Sequence, residues 1–106
     1  MPDSSLDSQH YEDFLPHVNS KFTAQSNNAS TVELELLSVE EKSPSPRQEQ
    51  FILTFRAPFT ASAQQQIFNL HHEQLGSGSM FLVPIGKDAS GIIYEAVFNR
   101  PRSVQQ

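Results

Sequence analysis

Residues 51–56, Phe-Ile-Leu-Thr-Phe-Arg, decide the fold class of this chain. The first, third and fifth positions are large and apolar, and they alternate with Ile, Thr and Arg. Because successive side chains of a strand point to opposite faces of a sheet, this period of two predicts a strand with one buried face. Ile52 is then expected on the outward face, and Ala57-Pro58 is expected to end the strand.

The same period recurs on both sides of this strand. It is found in residues 32–36 (VELEL), 68–72 (FNLHH) and 92–99 (IIYEAVFN), while residues 80–85 (MFLVPI) are apolar on both faces. Residues 22–25 add a sixth strand if they pair. Five or six strands without a helical crossover imply antiparallel pairing. The predicted fold is therefore mainly β: a small antiparallel, five- to six-stranded, partly closed barrel or sandwich with a short N-terminal helix.

Irregularities and turns are marked by residue type. The Leu36-Leu37 doublet predicts a β-bulge that reverses the faces of its strand. Residues 40–49 hold two prolines and no other apolar residue, so they are expected to form an exposed loop. Residues 77–79 (SGS) and 86–91 (GKDASG) are expected to form turns.

The first part of the chain predicts a helix. Apolar residues recur at three- and four-residue spacing from Tyr11 to Val18, with Ser8 as the expected N-cap. Pro16 either kinks this helix or begins a second helical turn. Three apolar side chains are expected to plug one end of the core: Phe14, Val18 and Phe22.

Length and composition predict one domain. The chain has 106 residues, near the commonest domain size, and 37% of them are apolar. The expected organisation is a flexible N-terminus over residues 1–7, a single β domain over residues 8–100 and a flexible C-terminus over residues 101–106.

Charge and cysteine content restrict the partners. Twelve acidic against seven scattered basic residues give a formal charge of −5, which disfavours nucleic acid and anionic membranes. The chain has no cysteine, no signal-like start and no apolar run long enough to span a membrane, so a cytoplasmic location is expected.

His72 is the residue of greatest chemical interest. It is expected on the same face as Phe68 and Leu70, just before a glycine turn, where it is a candidate base, ligand or pH sensor. The simpler hypothesis, which we favour, is that its ring hydrogen-bonds to the backbone or to a carboxylate and holds the Leu75-Gly76 turn. His71 is expected on the opposite face, so no metal or cofactor site is predicted.

The other polar candidates predict surface contacts. Glu95, between Tyr94 and Ala96, is expected to form an exposed ion pair with Arg56 or Lys87. His10 and His17 are expected to be solvated. No nucleotide-binding loop and no Gly-x-Ser-x-Gly elbow is present, and an enzyme is not expected.

The second half of the chain resembles an uncharacterised bacterial family of small domains. The family pattern is Phe-Arg-Gly-Pro, Tyr-x-Leu-x-His-x-x-Leu-Gly, Phe-Leu-Val-Pro and Tyr-Glu-Ala-x-Phe-Asn. Here these elements stand at residues 55–58 (FRAP), 68–76 (FNLHHEQLG), 81–84 (FLVP) and 94–99 (YEAVFN), with Ala57 in place of Gly and Phe68 in place of Tyr. The resemblance implies a neighbour of phage-tail-collar-type proteins and carries over no catalytic residue.

Two functions are predicted. The favoured hypothesis is a non-catalytic structural or protein-interaction module that binds a protein partner or itself, through a strand edge or the outward side chains of Ile52, Ile93 and Val97. In this hypothesis no small-molecule ligand is expected. The alternative is a small ligand-binding β-barrel with His72 and Tyr94 at its mouth.

Overall fold

The computed structural model describes residues 10–26, 31–42, 48–59 and 65–101. A short helix, α1, is followed by a 3-10 turn and by six antiparallel strands, β1 to β6. The strands form a closed barrel in the order β1-β2-β3-β6-β5-β4, which confirms the predicted fold class and shows that the barrel closes. The elements are α1 Tyr11–Phe14, the 3-10 turn Leu15–His17, β1 Lys21–Gln25, β2 Thr31–Glu41, β3 Gln48–Ala57, β4 Gln66–His72, β5 Gly76–Lys87 and β6 Ile92–Pro101.

The longest ladder described in the barrel joins β3 and β6. These strands pair from Gln48 with Pro101 to Ala57 with Ile92, over the full length of both. Phe51 lies opposite Phe98, and their rings stack with centroids 4.7 Å apart. The alternation predicted for residues 51–56 is confirmed, because the first, third and fifth side chains are fully buried.

Two strands contain irregularities in their register. In β2 the register against β3 shifts between Leu36 and Ser38, which confirms the predicted bulge. In β5 the register against β6 shifts between Pro84 and Gly86. Proline lacks a backbone N–H and is tolerated in sheets chiefly at such irregular positions.

Three predicted turn boundaries were wrong. Residues 77–79 belong to β5, and the turn lies at residues 73–75, where Gly76 follows with a positive φ of 98°. β2 and β3 extend into the predicted loop of residues 40–49, whose residues 43–47 lie outside the described part. β5 also continues to Lys87, inside the predicted turn of residues 86–91. In each case pairing with a neighbouring strand outweighs the local preference of Gly, Ser and charged residues for turns.

The N-terminal helix closes one end of the barrel. Phe14 is fully buried and packs against Phe51 and Phe98, with ring centroids 5.9 and 6.1 Å apart. Val18 is half-buried against the core, and Phe22 is a buried residue of β1 whose ring packs against Phe55, so of the predicted plug only Phe14 lies in the helix.

The ends of the helix and of the domain differ from the prediction. The N-cap is His10, whose N–H donates to the Asp13 carboxylate at 2.8 Å, and Ser8 lies outside the described residues. Pro16 is the second residue of a separate 3-10 turn that begins at Leu15, one residue earlier than in the second of the two predicted possibilities. β6 includes Pro101, one residue beyond the predicted domain end, and residues 1–9 and 102–106 lie outside the description.

Candidate functional site

His72 holds the turn between β4 and β5. Its side chain is only 4% exposed, at the end of β4. The ring nitrogen Nδ1 accepts the backbone N–H of Gln74 at 3.0 Å and that of Leu75 at 3.2 Å. This is the hydrogen bonding to the backbone predicted for His72, and it fixes the ring in one orientation.

The same hydrogen bonds fix the tautomer of His72. Because Nδ1 accepts two N–H groups, the proton of the neutral ring is on Nε2, which lies 3.0 Å from Ser20 Oγ. Ser20 in turn donates its hydroxyl to the carbonyl oxygen of His17 at 2.6 Å. A nucleophilic serine needs a histidine that accepts its proton. Here His72 donates to Ser20, so the pair is arranged as a structural link between the β4 end and the N-terminal segment.

His17 lies against this ring and is not simply solvated, contrary to the prediction. It is half-buried, and its ring packs edge-on against His72 with centroids 4.8 Å apart. On the core side, the centroid of the Phe22 ring lies 4.6 Å from that of the His72 ring. Burial lowers the pKa of His72 below its usual 6.5, and the His17 ring lowers it further. The environment therefore favours the neutral form that the hydrogen bonds require.

His71 points away from His72, as the strand geometry predicts. It is exposed, and its Nδ1 lies 2.7 Å from Ser77 Oγ. Within the described ranges, no three carboxylate or imidazole side chains come together as metal ligands.

Arg56 binds partners other than Glu95, and no ion pair among the described residues includes Glu95, so the predicted pair with Arg56 or Lys87 was wrong. Its guanidinium donates to the Asp88 carboxylate at 2.8 and 3.2 Å and to Glu35 at 3.3 Å. The reason is register: Arg56 lies opposite Ile93, close to the β5–β6 turn that carries Asp88. The hydrogen bond from Arg56, followed by the backbone N–H of Ser90, lowers the pKa of Asp88.

Tyr94 does not lie at a mouth of the barrel, and that prediction was wrong. Its side chain is fully buried, between Phe55 of β3 and Pro84 of β5 in register. Its ring meets Phe68 edge-on at 6.0 Å, and burial raises the pKa of its hydroxyl. Tyr94 and His72 are both interior, so they do not form the ligand site of the alternative hypothesis.

The outer surface carries a row of apolar side chains that we call the apolar stripe: Ile67, Phe81, Val97 and Ile52. Ile67 of β4 pairs in register with Phe81 of β5, and Val97 of β6 pairs with Ile52 of β3. The exposed fractions are 54% for Ile67, 51% for Phe81 and 57% for Val97, while Ile52 is half-buried. Ile93, the third predicted contact residue, is half-buried opposite Arg56 and lies off the stripe.

Sequence reasoning identified only half of the stripe. Ile52 and Val97 followed from strand alternation, but Ile67 and Phe81 were not named. The available signal was residues 80–85: a strand that is apolar on both faces has more apolar side chains than the core accepts. Met80 and Leu82 fill the core, so Phe81 is left outside.

A groove crosses the stripe between β5 and β6. β5 pairs with β4 from Gly76 to Leu82 and, in the described residues, with β6 only from Val83 onward. The groove that follows from this divergence has a volume of about 300 Å³. We call it the β5–β6 groove, and it is lined by Ser79, Met80, Phe81, Val83, Glu95, Ala96, Val97 and Phe98.

The fold and its surface define a small closed β-barrel with a helical plug, a buried structural histidine and an exposed apolar face. The chain belongs to the family described as Domain of unknown function (DUF6916), whose model matches residues 10–98. This confirms, at the level of the family, the predicted resemblance to an uncharacterised group of small domains. No curated protein and no solved structure matches the chain. The helical segments of the described chain, Tyr11–Phe14 and Leu15–His17, are neither long nor apolar enough to cross a bilayer.

Proposed function

We propose that this domain is a non-catalytic protein-interaction module that binds a partner through the apolar stripe. The observation that carries the proposal is the placement of Ile67, Phe81 and Val97, each more than half exposed, on neighbouring strands of one face. Soluble monomers rarely expose large contiguous apolar patches, and burying such surface contributes roughly 25 cal/mol per Å².

The polar groups support a non-catalytic role. His72 donates to Ser20 through its Nε2, the reverse of the arrangement that would activate the serine. Arg56 binds both Glu35 and Asp88, and so ties the β5–β6 turn to β2 and β3. Each of these groups has a structural partner and serves the barrel itself.

The finer form of the proposal is an accessory role in a phage-tail-like or collar-domain assembly of a bacterium. Its support is the resemblance of the four segments between residues 55 and 99. A cytoplasmic location suits a chain without cysteine.

The test compares proteins captured by two variants from a lysate of the source organism. In the stripe variant, Phe81→Thr and Val97→Thr keep strand-forming residues but remove the exposed apolar surface. In the control, Phe59→Thr removes an apolar side chain that is 55% exposed and follows the end of β3, away from the stripe. We expect the stripe variant to retain about tenfold less partner, as for loss of a central aromatic anchor, and the control to match the wild type.

Circular dichroism and thermal melting of each variant show that the barrel is intact. Equal retention by the wild type and the stripe variant would contradict the proposal. So would a wild-type protein that captures nothing and stays monomeric at high concentration.

A further inference from the structure

We infer that the β5–β6 groove receives an extended segment of a partner protein in which apolar residues alternate around one lysine or arginine, whose cation faces Glu95. The inference rests on the proposed function, because it names the partner chemistry that the apolar stripe would bind. It uses the shape of the groove, the chemistry of its lining and the charge at Glu95.

The shape of the groove favours an extended chain. Its walls are the strand edges around Ser79 to Phe81 on β5 and around Ala96 and Val97 on β6. Within the described residues, neither of these stretches pairs with the other strand, because the β5–β6 ladder begins only at Val83 and Glu95. A polypeptide that adds to a sheet edge satisfies backbone groups of this kind through main-chain hydrogen bonds.

The lining favours apolar side chains on one face of that segment. Phe81 and Val97 form the outer walls, while buried Met80 and Ala96 lie deeper. Methionine adapts its shape easily, which suits a surface that must accept a partner's side chains. In an extended segment every second residue faces the same way, so an alternating sequence presents its apolar side chains together.

Glu95 supplies the specificity for a cation. It is the charged residue among those that line the groove, and it is half-buried. In register it lies opposite Thr54 and Val83, and none of the ion pairs of the described residues includes it. A carboxylate flanked by apolar walls is best complemented by a lysine or arginine, whose aliphatic stem also packs on apolar surface.

Charge favours such a partner over a second copy of this chain. The chain carries a formal charge of −5, and a twofold pairing of the stripe would bring two Glu95 carboxylates to one interface. Like charges at an interface are costly, whereas a basic segment is attracted. Self-association through the stripe is therefore an outcome that would overturn the inference.

The experiment titrates ¹⁵N-labelled protein with a capped peptide of sequence Val-Thr-Val-Thr-Lys-Thr-Val-Thr-Val. A matched peptide carries Glu at the centre. We expect the Lys peptide to shift the amides of Phe81, Val83 and Val97, and Glu95→Gln to weaken its binding about three- to fivefold, the range of a partly exposed ion pair. Glu95→Lys should reverse the preference, so that the Glu peptide binds more tightly than the Lys peptide.

Equal affinities for the two peptides, or amide shifts away from the groove, would overturn the inference. Capture from lysate by the Glu95→Lys variant separates this failure from that of the proposed function. If the stripe variant loses the partner and Glu95→Lys keeps it at full strength, the interaction module stands and the basic segment is wrong. If neither variant changes what is captured, the proposed function fails as well. A wild-type dimer that the stripe variant abolishes would place a second copy in the groove.

Discussion

At the scale of single residues, Gly91 marks a place where two backbone segments approach each other closely. It is buried just before β6, and a Cβ atom there would overlap the carbonyl oxygen of Ala57 and lie 3.0 Å from Arg56 Cγ. The overlap is with backbone, which cannot turn aside as a side chain does. Gly91 therefore allows the β5–β6 turn to lie directly on the end of β3.

We expect Gly91→Ala to lower the free energy of unfolding by about 2 kcal/mol or more, since overpacking of this kind typically costs ~1–3 kcal/mol. Urea denaturation measures the change. The matched control is Gly86→Ala, where an added Cβ meets nothing within 4 Å and the expected change is within about 0.5 kcal/mol. Equal stabilities of the two variants would show that the turn does not pack on β3 as described.

At the scale of elements, the contact between the N-terminal segment and the barrel depends on a neutral His72. Burial lowers the pKa of His72 most, the His17 ring lowers it next, Glu73 opposes these effects and His71 adds to them. The folded state therefore binds this proton more weakly than the unfolded chain, whose histidine has the usual pKa of 6.5. The stabilisation is complete above pH 6.5 and is lost as the pH falls from there through the folded pKa.

We accordingly expect the melting temperature to fall between pH 7.5 and pH 5.5, a range above the titration of most carboxylates. An NMR titration of the His72 ring should give a pKa below 6.5. His17→Gln removes the neighbouring imidazole and should raise that value, whereas His71→Gln, at an exposed position, should move it less. A His72 pKa at or above 6.5 in the wild type would refute this account.

The elements also show where sequence reasoning succeeds. β3 and β6 were predicted closely because each has a regular alternation that matches one buried and one exposed face. The hydrogen bonding of His72 followed from its place on the core face just before a glycine, since a buried ring nitrogen needs a partner. The burial of Phe14 followed from the three- and four-residue spacing of apolar residues between Tyr11 and Val18.

The predictions that failed depend on the register between strands that are far apart in the sequence. The partner of Arg56 is set by the register between β3 and β6. Arg56 lies opposite Ile93, whereas a register shifted by two residues would place it opposite Glu95. Tyr94 was placed at a mouth because alternation gives the face of a residue but not its depth along the barrel. The β5–β6 groove was missed for the same reason, because it arises from the divergence of two strands that are each regular in sequence.

At the scale of the whole molecule, the barrel closes unevenly. The β3–β6 ladder runs unbroken from Gln48 to Ala57, whereas in the described part of the chain β5 and β6 pair only from Val83 with Glu95 to Lys87 with Ile92. The second ladder also contains Pro84, which has no N–H, and a register shift. Of the two ladders that β6 forms, the one with β5 is therefore the shorter and the less regular.

This asymmetry predicts which of the two neighbours of β6 separates from it first. Separating β5 from β6 breaks a short ladder and leaves the β3–β6 pair and its stacked Phe51 and Phe98 in place, so it requires less free energy than global unfolding. We expect the amide hydrogens of Val83, Gly86 and Lys87 to exchange with solvent about tenfold or more faster than those of Phe51 to Phe55, when both are corrected for intrinsic rates. Hydrogen exchange followed by NMR measures these rates. The internal control is the β4–β5 ladder, which involves the same strand but is longer. Its amide hydrogens should exchange more slowly than those of Val83, Gly86 and Lys87. Uniform protection across the three ladders would mean that β5 and β6 do not separate ahead of global unfolding. The groove would then be a rigid slot that accepts a segment without any separation of its walls.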